Sequence, residues 1–373
     1  MDQLNLVLLP EFGWTIQNKP VFGPGSVFQG HVDLNLCKRL LLDRVRLVFQ
    51  ARERLHYCQT ANGVDENKAG LLFAVQQTLW ESKQGNRQLD PGHHELAFTI
   101  QMPMVQFPPT VDQDFYKCTF KLIAVAERAL PAGGFRTLLL HEEPLMYMPF
   151  VETSLNKLPF QIQQKQDDMV VTVAMPTLDV LLGEELRGQL QVCHTTTNKP
   201  KPLEYVLRLQ QCMTPLDEDL DPHTRDVASL VGKLLPGRNT QPDDDSKKNK
   251  TVLVASYETD FQLAVPEHLP PTFTYGRLAA ITYRLVMTIK RNGPLGMWAY
   301  EWTKEVPVTL GTLGLGLHVP IDLHIYTTLP KETAQQQRPR FMKAIEYEDA
   351  LPLYEPIKLP DYTLNNLLVL PDT

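Results

Sequence analysis

The chain is 373 residues long, with a formal net charge of -7, a hydrophobic share of 43% and 30 prolines. This length exceeds one ordinary core and fits two domains of usual size followed by a tail. The many prolines argue against a fold of long helices, and the negative charge argues against nonspecific nucleic-acid binding.

Cysteine usage and the first residues predict a cytosolic protein. The cysteines are odd in number and contain no CxxC pair, which is typical of reduced thiols, and we expect most of them to be buried. Residues 1–10 lack the cationic region of a secretory signal, and no later window is apolar enough to predict a membrane span. The cysteines are Cys37, Cys58, Cys118, Cys193 and Cys212.

The first predicted elements form a unit that begins with two glycines, Gly25 and Gly30, around the start of an alternating segment. Alternation of apolar and polar residues continues at 45–49 and 116–122, which predicts strands with one solvated face. Between these strands an apolar segment ends at Pro103 and is followed closely by a Pro-Pro-Thr sequence.

The same features recur in the same order in the second half of the chain. Blocks that recur in one order indicate duplicated domains. The second copy consists of Gly183 and Gly188, alternating segments at 205–209 and 281–287, an apolar segment that ends at Pro266, and Pro-Pro-Thr at 270–272.

The repeat predicts an all-β fold of two tandem, immunoglobulin-like antiparallel β-sandwiches with a short disordered C-terminal tail. Short alternating strands separated by Gly, Pro and Asn turns favour sandwiches over alternating β/α units. We place the first domain at residues 1–154, the second at 155–330 and the tail at 331–373, with a short hinge at 151–159.

One segment of the second domain, residues 216–250, interrupts the repeat and is predicted to be a mobile surface insert. Its centre at 236–248 has little apolar surface to bury. Apolar residues at helical spacing predict a short helix over 224–234 inside it. Its basic run has two interpretations, a contact with anionic lipid or a solvated loop beside an acidic run. The run is Lys247, Lys248 and Lys250.

The tail contains two copies of the sequence Leu-Pro-x-Tyr, which predict two docking points. Proline favours an extended conformation, so the aromatic groove of a WW domain can bind such a segment with little loss of chain entropy. The tyrosine ring supplies an apolar anchor with a polar hydroxyl. In the alternative interpretation the same residues fold back onto the second sandwich. The predicted WW-domain-binding residues are Leu351, Pro352, Tyr354, Leu359, Pro360 and Tyr362.

Residues 4–330 and the tail together resemble the α-arrestin family, the arrestin-related trafficking adaptors. Residues 21–30 are similar to the opening of that family, an aromatic residue and Pro-Gly followed by a second glycine. Residues 98–110 and 261–272 resemble the apolar-Pro and Pro-rich segments of its two arrestin-like domains.

The resemblance implies a non-enzymatic adaptor without a cofactor. In that family, Pro-Pro-x-Tyr or Leu-Pro-x-Tyr motifs recruit a HECT-type ubiquitin ligase through its WW domains, and the sandwiches select a membrane transporter or receptor cargo for endocytosis. We therefore expect a cytoplasmic protein that is recruited to the plasma membrane or endosomes. This chain lacks Pro-Pro-x-Tyr, so we expect two weak sites that act together.

The position of two lysines near the motifs makes Lys331 and Lys343 candidate ubiquitin acceptors. A second hypothesis is a ligase-independent arrestin-fold scaffold or sorting-coat subunit, with the tail completing the second domain. A third hypothesis, a small-molecule enzyme, requires clustered ionisable groups in a deep pocket.

Two segments invite a catalytic interpretation, and we assign neither to catalysis or metal binding. The His93-His94-Glu95 sequence is interpreted as a turn entering a strand, in which adjacent side chains face opposite sides and do not share one ion easily. The glycine-rich segment 311–316 lacks the lysine of a phosphate-binding loop, so it is predicted to let a strand bend.

Overall fold

The computed structural model describes residues 2–9, 15–16, 19–59, 64–82, 88–153, 158–196, 200–217, 220–237, 241–242, 253–292, 298–314, 316–330 and 336–342. The strands of the first half are β1 (Gln3–Leu8), β2 (Thr15–Ile16), β3 (Lys19–Phe22), β4 (Val27–Leu36), β5 (Leu40–Leu41), β6 (Arg44–Gln59), β7 (Val64–Glu81), β8 (Gln88–Leu89), β9 (Gly92–Gln101), β10 (Val105–Gln106), β11 (Val111–Asp112), β12 (Tyr116–Ala129) and β13 (Phe135–Tyr147).

The strands of the second half are β14 (Phe160–Gln166), β15 (Met169–Met175), β16 (Asp179–Leu181), β17 (Glu185–Thr196), β18 (Leu203–Pro215), β19 (His223–Leu234), β20 (Gln241–Pro242), β21 (Leu253–Ala264), β22 (Ala279–Asn292), β23 (Trp298–Gly311), β24 (His324–Ile325) and β25 (Arg340–Met342). All elements of the described residues are strands, which confirms the predicted all-β class. Within the same residues there is no helix with the length and apolarity needed to cross a membrane.

In the first domain two sheets pack against each other. One sheet has the order β1-β4-β9-β25, and the other has the order β2-β3-β13-β12-β6-β7. Every second residue of β4 is buried, so its apolar side chains face the opposite sheet. The ring of Phe28 on β4 meets the ring of Phe49 on β6 edge to face, with centroids 5.6 Å apart. This arrangement is a β-sandwich with a shared apolar core.

The second domain repeats this topology. The order β15-β17-β21 corresponds to β1-β4-β9, and β23-β22-β18-β19 corresponds to β13-β12-β6-β7. Even the short parallel pair of β3 with β13 has a counterpart in β16 with β23. The sequence repeat therefore corresponds to a repeated strand order.

The second glycine of each repeated pair is explained by a large ring beside it. A Cβ atom on Gly30 would lie 2.7 Å from Cζ of Phe98, and one on Gly188 would lie 2.5 Å from Cζ of Phe261. Both rings are buried and belong to the two apolar blocks that precede proline. The two halves of the sequence motif therefore contact each other across neighbouring strands, β4 with β9 and β17 with β21.

The helix predicted over 224–234 is wrong, because these residues form β19. This strand pairs with β18 along its length and occupies the position that β7 has in the first domain. The register shifts where Leu209 pairs with Ala228 and Gln210 pairs with Asp226, so a bulge at Val227 breaks the alternation that would indicate a strand. Val231 is 62% exposed on the solvated face. Residues 223–234 and 241–242 thus belong to sheets, whereas 218–219, 238–240 and 243–250 of the predicted insert lie outside the described residues.

Part of the predicted tail belongs to the first domain. The tail is predicted to begin at residue 331, but β25 pairs antiparallel with β9 through residues 340–342 and 99–101. Phe341 packs against the hydrophobic core. The chain thus returns from the second domain to complete a sheet edge of the first, and the remaining tail follows Met342.

The prediction that most cysteines are buried is also wrong for the described ones. Cys118 is buried, Cys212 is intermediate, and Cys37 and Cys193 are exposed. None of these four cysteines is in a disulfide bond. Their positions follow strand alternation, since Cys193 lies on the solvated face of β17.

Candidate functional site

The residues predicted to bind a ligase lie outside the described residues. This applies to both Leu-Pro-x-Tyr motifs, to both candidate acceptor lysines and to the basic run at 247–250. The described structure does place the start of the tail, because β25 fixes residues 340–342 at the edge of the first domain. The residues concerned are Lys331, Lys343, Leu351, Pro352, Tyr354, Leu359, Pro360 and Tyr362.

A polar cluster joins the two domains, and we call it the domain seam: the buried Glu53, Tyr116 and Tyr326 and the exposed Arg277. Glu53 lies on β6 in the first domain and is 1% exposed. The Tyr116 hydroxyl donates a hydrogen bond to Oε2 of Glu53 at 3.2 Å. The Tyr326 hydroxyl donates to the same carboxylate, at 3.4 Å from either oxygen.

Tyr326 reaches this position because the chain that follows β23, the last strand of the second sandwich, pairs with the first domain. Strand β24 runs parallel to β10, with His324 opposite Val105. The amide of Tyr326 donates a hydrogen bond to the carbonyl oxygen of Gln106 at 3.2 Å. The Tyr326 hydroxyl also accepts a hydrogen bond from the amide of Arg277 at 2.7 Å, which brings in the second domain.

The carboxyl of Glu53 is electrostatically unusual. Removal from water raises its pKa above the ordinary value, because burial penalises the charged form, and the bonds from Tyr116 and Tyr326 and the charge of Arg277 oppose this rise without cancelling it. Burial likewise raises the pKa of the Tyr326 hydroxyl, and the neighbouring Glu53 adds to that rise. The hydroxyls of Tyr116 and Tyr326 therefore remain protonated and act as hydrogen-bond donors.

Contacts of other kinds extend the seam. The ring of Phe115 stacks on the ring of His223, with centroids 5.3 Å apart and planes inclined by 19°. The Tyr275 hydroxyl of the second domain donates to the carbonyl oxygen of Phe107 in the first, at 3.3 Å. Apolar stacking and hydrogen bonds on several elements thus hold the domains in one relative position.

The segment that connects the domains is held by the glycine-rich region predicted to bend a strand. Strand β23 ends at Gly311, where a Cβ atom would lie 2.6 Å from Cγ2 of Thr153. The hydroxyl of Thr312 donates to the carbonyl oxygen of Pro149 at 2.7 Å and accepts from the amide of Val151 at 2.9 Å. The glycine therefore allows close approach of the connecting segment.

Two cavities with charged side chains in their linings lie near these contacts. One of about 300 Å³ is lined by Arg54, His56, Asp114 and Lys117, next to the stacked ring of Phe115. The other, of about 400 Å³, lies where β25 meets the first domain, and its lining residues are Gly25, Gln101, Met102, Pro103, Met104, Asp322, His324, Gln336, Gln337, Arg338 and Arg340. In each lining the basic side chains outnumber the single acidic one, Asp114 in the first cavity and Asp322 in the second, which suits an anionic or acidic partner.

The His93-His94-Glu95 segment lies within β9, as part of a strand. Nδ1 of His93 is 3.0 Å from Oδ1 of Asn35, whereas Nε2 of His94 is 2.9 Å from the carbonyl oxygen of Asp90. The two imidazoles thus have different partners. Among the described residues there is no group of three or more His, Cys, Asp or Glu side chains placed to hold a metal ion.

The domain seam is absent from the sequence-based predictions, although one signal for it is present. Along β6 the buried positions alternate through Val45, Leu47, Phe49 and Ala51, and Glu53 occupies the next one. A carboxyl at an inward position of an apolar strand needs a buried partner. The partners Arg277 and Tyr326 carry no comparable signal, since they are distant in sequence.

Fold and seam together define an all-β protein of two antiparallel sandwiches joined through hydrogen bonds at the buried Tyr326 and through the stacked rings of Phe115 and His223. No protein-family model matches the sequence, and no curated protein matches it. The strand order, the seam and the path of the tail are the observations that bear on function.

Proposed function

We propose that the chain is a non-enzymatic adaptor that brings a WW-domain HECT-type ubiquitin ligase to a membrane-protein cargo. Such recruitment would promote ubiquitination, endocytosis and trafficking of the cargo. The observation that carries the proposal is the path of the tail. Strand β25 fixes residues 340–342 on the first domain, and two Leu-Pro-x-Tyr sequences follow within a short distance along the chain.

The tail would act through proximity. Each motif offers a proline for the aromatic groove of a WW domain and a tyrosine for the adjacent pocket. Two weak sites on one chain raise the effective concentration of the second contact, and linked binding can exceed either single affinity by about 100-fold or more. Anchoring by β25 limits the distance between ligase and sandwiches, which favours transfer of ubiquitin to a bound cargo.

The sandwiches would supply the cargo-binding half of the adaptor. The cavity of about 300 Å³ beside the domain seam is lined by Arg54, His56, Asp114 and Lys117. Lys117 also pairs with Asp112, and the remaining excess of basic over acidic side chains suits an acidic segment of a transporter or receptor. Peripheral association with a membrane would place the domains next to such a cargo. A cytoplasmic protein recruited to the plasma membrane or to endosomes fits this arrangement.

A reconstituted ubiquitin-transfer reaction tests the proposal. With a HECT-type ligase that retains its WW domains, we expect modification of the full chain, with ubiquitin remnants at Lys331 or Lys343. The double variant Tyr354→Ala, Tyr362→Ala should lose the modification, because both anchors are removed. Tyr347→Ala is the matched control, since Tyr347 lies in the same tail outside either motif. Equal modification of the double variant and wild type would refute ligase docking through these motifs.

A second candidate function, a ligase-independent scaffold or sorting-coat subunit, is favoured by β25 itself. A tail segment that completes a sheet and packs Phe341 against the core has a structural purpose without any ligase. In that case the transfer reaction would give no modification, and the tail tyrosines would tolerate substitution in cargo sorting.

A further inference from the structure

The turn between β12 and β13 exposes an uncharged, apolar sequence at one end of the first domain. Residues 130–135, Leu-Pro-Ala-Gly-Gly-Phe, are all exposed, and we call them the apolar tip. Leu130 is 44% exposed and Phe135 is 45% exposed. Pro and Gly are ordinary turn residues, whereas two large exposed apolar side chains on one turn are a candidate contact with another apolar medium.

The backbone of the apolar tip partly satisfies its own hydrogen bonds. The amide of Leu130 donates to the carbonyl oxygen of Gly134 at 3.0 Å, and the amide of Gly133 donates to the carbonyl oxygen of Leu130 at 3.0 Å. Gly133 and Gly134 adopt φ values of 89° and 85°, which close the turn tightly. Internal pairing lowers the cost of moving backbone out of water.

Two arginines flank the apolar tip at the same level. Arg128 on β12 lies directly opposite Arg136 on β13, and both are exposed. Like charges at opposite positions of a strand pair are destabilising unless an anion lies between them. Within the described part of the chain neither arginine forms an ion pair, so the pair is available to an external anion.

The carboxylate beside this pair is already neutralised. Glu127 accepts from Arg44 at 2.6 Å and from Arg46 at 2.7 Å, and these bonds lower its pKa despite its burial. The guanidinium of Arg44 also lies over the ring of Phe135, 3.4 Å from its centroid. This contact fixes the orientation of Phe135. Because Glu127 is already paired, the end of the hairpin carries a net positive charge.

We propose that the apolar tip inserts into the headgroup region of an anionic lipid bilayer, with Leu130 and Phe135 in the apolar layer and Arg128 and Arg136 at the lipid phosphates. Leu130 lies two positions beyond Arg128, about 7 Å of chain, which matches the insertion depth of about 5–10 Å typical of interfacial segments. Phe135 is adjacent to Arg136 and so lies nearer the phosphates. The inference specifies the membrane association within the proposed function, and it requires no ligase docking.

Sedimentation of the full chain with lipid vesicles tests the inference. We expect binding to vesicles of phosphatidylserine and phosphatidylcholine in equal parts and little binding to pure phosphatidylcholine, since cations near an anionic surface add to affinity. Leu130→Ser with Phe135→Ser should weaken binding by at least about tenfold. Arg128→Gln with Arg136→Gln should weaken it by about thirtyfold. Val231→Ser and Lys165→Gln, at exposed positions of the second domain, are matched controls that should bind as wild type does.

Two outcomes would overturn the inference. One is an absence of binding to the anionic vesicles, and the other is binding that the apolar-tip variants leave unchanged. The variant Tyr354→Ala, Tyr362→Ala separates the two proposals. It should retain vesicle binding even if the ligase proposal is correct, and loss of vesicle binding in this variant would place the membrane contact in the tail.

Discussion

The hydroxyl of Tyr326 donates a hydrogen bond to the carboxylate of Glu53, at 3.4 Å from each oxygen, across the boundary between the two domains. Both side chains are buried. The same hydroxyl accepts from the amide of Arg277 in the second domain. One side chain on the returning chain therefore links an acid of the first domain to backbone of the second, which makes the seam a determinant of domain arrangement.

Tyr326→Phe should lower the free energy of unfolding by about 1–3 kcal/mol, because it leaves the Arg277 amide without its buried acceptor and removes one donor to Glu53. Urea denaturation followed by tryptophan fluorescence measures the change. Tyr257→Phe is the control. Its hydroxyl bonds to the carbonyl oxygen of Lys201 at 2.9 Å within the second domain, so it should leave the separation of the domains unchanged. We expect Tyr326→Phe, unlike Tyr257→Phe, to change the domain spacing measured by small-angle scattering. Equal spacing in the two variants would show that Tyr326 has no special role at the seam.

Glu53 should make stability fall as pH rises. Its pKa is raised in the folded protein, so the folded state holds the proton to higher pH than the unfolded chain, whose glutamates titrate near about 4.3. Between these two pKa values unfolding releases a proton, and the free energy of unfolding decreases with pH. The difference in unfolding free energy between wild type and Glu53→Gln isolates this group.

We expect that difference to be most favourable to wild type below pH of about 4 and to decline as pH increases through the window above it. The lowered pKa values of Glu127 and Asp168 act in the opposite sense, but they are common to both proteins and cancel. A difference that stays constant or grows with pH would contradict the raised pKa of Glu53.

Ending the chain after Pro330 should destabilise the first domain and promote self-association. The truncation removes β25, exposes the edge of β9 at 99–101 and withdraws Phe341 from the core. Unpaired strand edges are templates for pairing with other chains. A chain that ends after Met342 is the matched control, since it keeps β25 and also lacks both tail motifs. Sedimentation velocity of the two truncated proteins checks the result, and equal behaviour as monomers would argue against a structural role of β25.

Gly188→Ala should lower the free energy of unfolding by about 1–3 kcal/mol, because the added methyl meets the ring of Phe261 and the carbonyl oxygen of Ala174. A Cβ atom at this position would lie 2.5 Å from the ring and 2.8 Å from the oxygen, too close for either neighbour to remain in place. Gly314→Ala is the control, since its nearest neighbouring atom is 3.8 Å away. Thermal unfolding of both variants compares their losses of stability. A Gly188→Ala protein as stable as the control would show that β17 and β21 move apart easily at this position.

The fold could be predicted from the sequence because its signals are local and repeated. Gly188 and Phe261 each belong to a block that recurs in the other half, so the duplication and the strand class follow from pattern alone. Strand β19 was not predicted because a bulge at Val227 interrupts the alternation of a strand and gives the apolar residues a spacing that resembles a helix. Strand β25 was not predicted because a strand of three residues is too short to show an alternating pattern.

The seam could be predicted only in part. The inward position of Glu53 predicts that some partner exists, but its partners Tyr326 and Arg277 are brought near by the pairing of β24 with β10. No local pattern encodes that parallel pair of two residues. Similarly, the apolar tip is visible as a sequence, whereas the opposition of Arg128 and Arg136 depends on the register of β12 with β13.

Titration of the full chain with a tandem pair of WW domains from a HECT-type ligase tests the adaptor function most directly. We expect saturable binding that Tyr354→Ala or Tyr362→Ala weakens, that the double variant abolishes, and that Tyr347→Ala leaves intact. Binding that survives the double variant, or an absence of binding to the wild-type chain, would contradict the adaptor function and favour the scaffold.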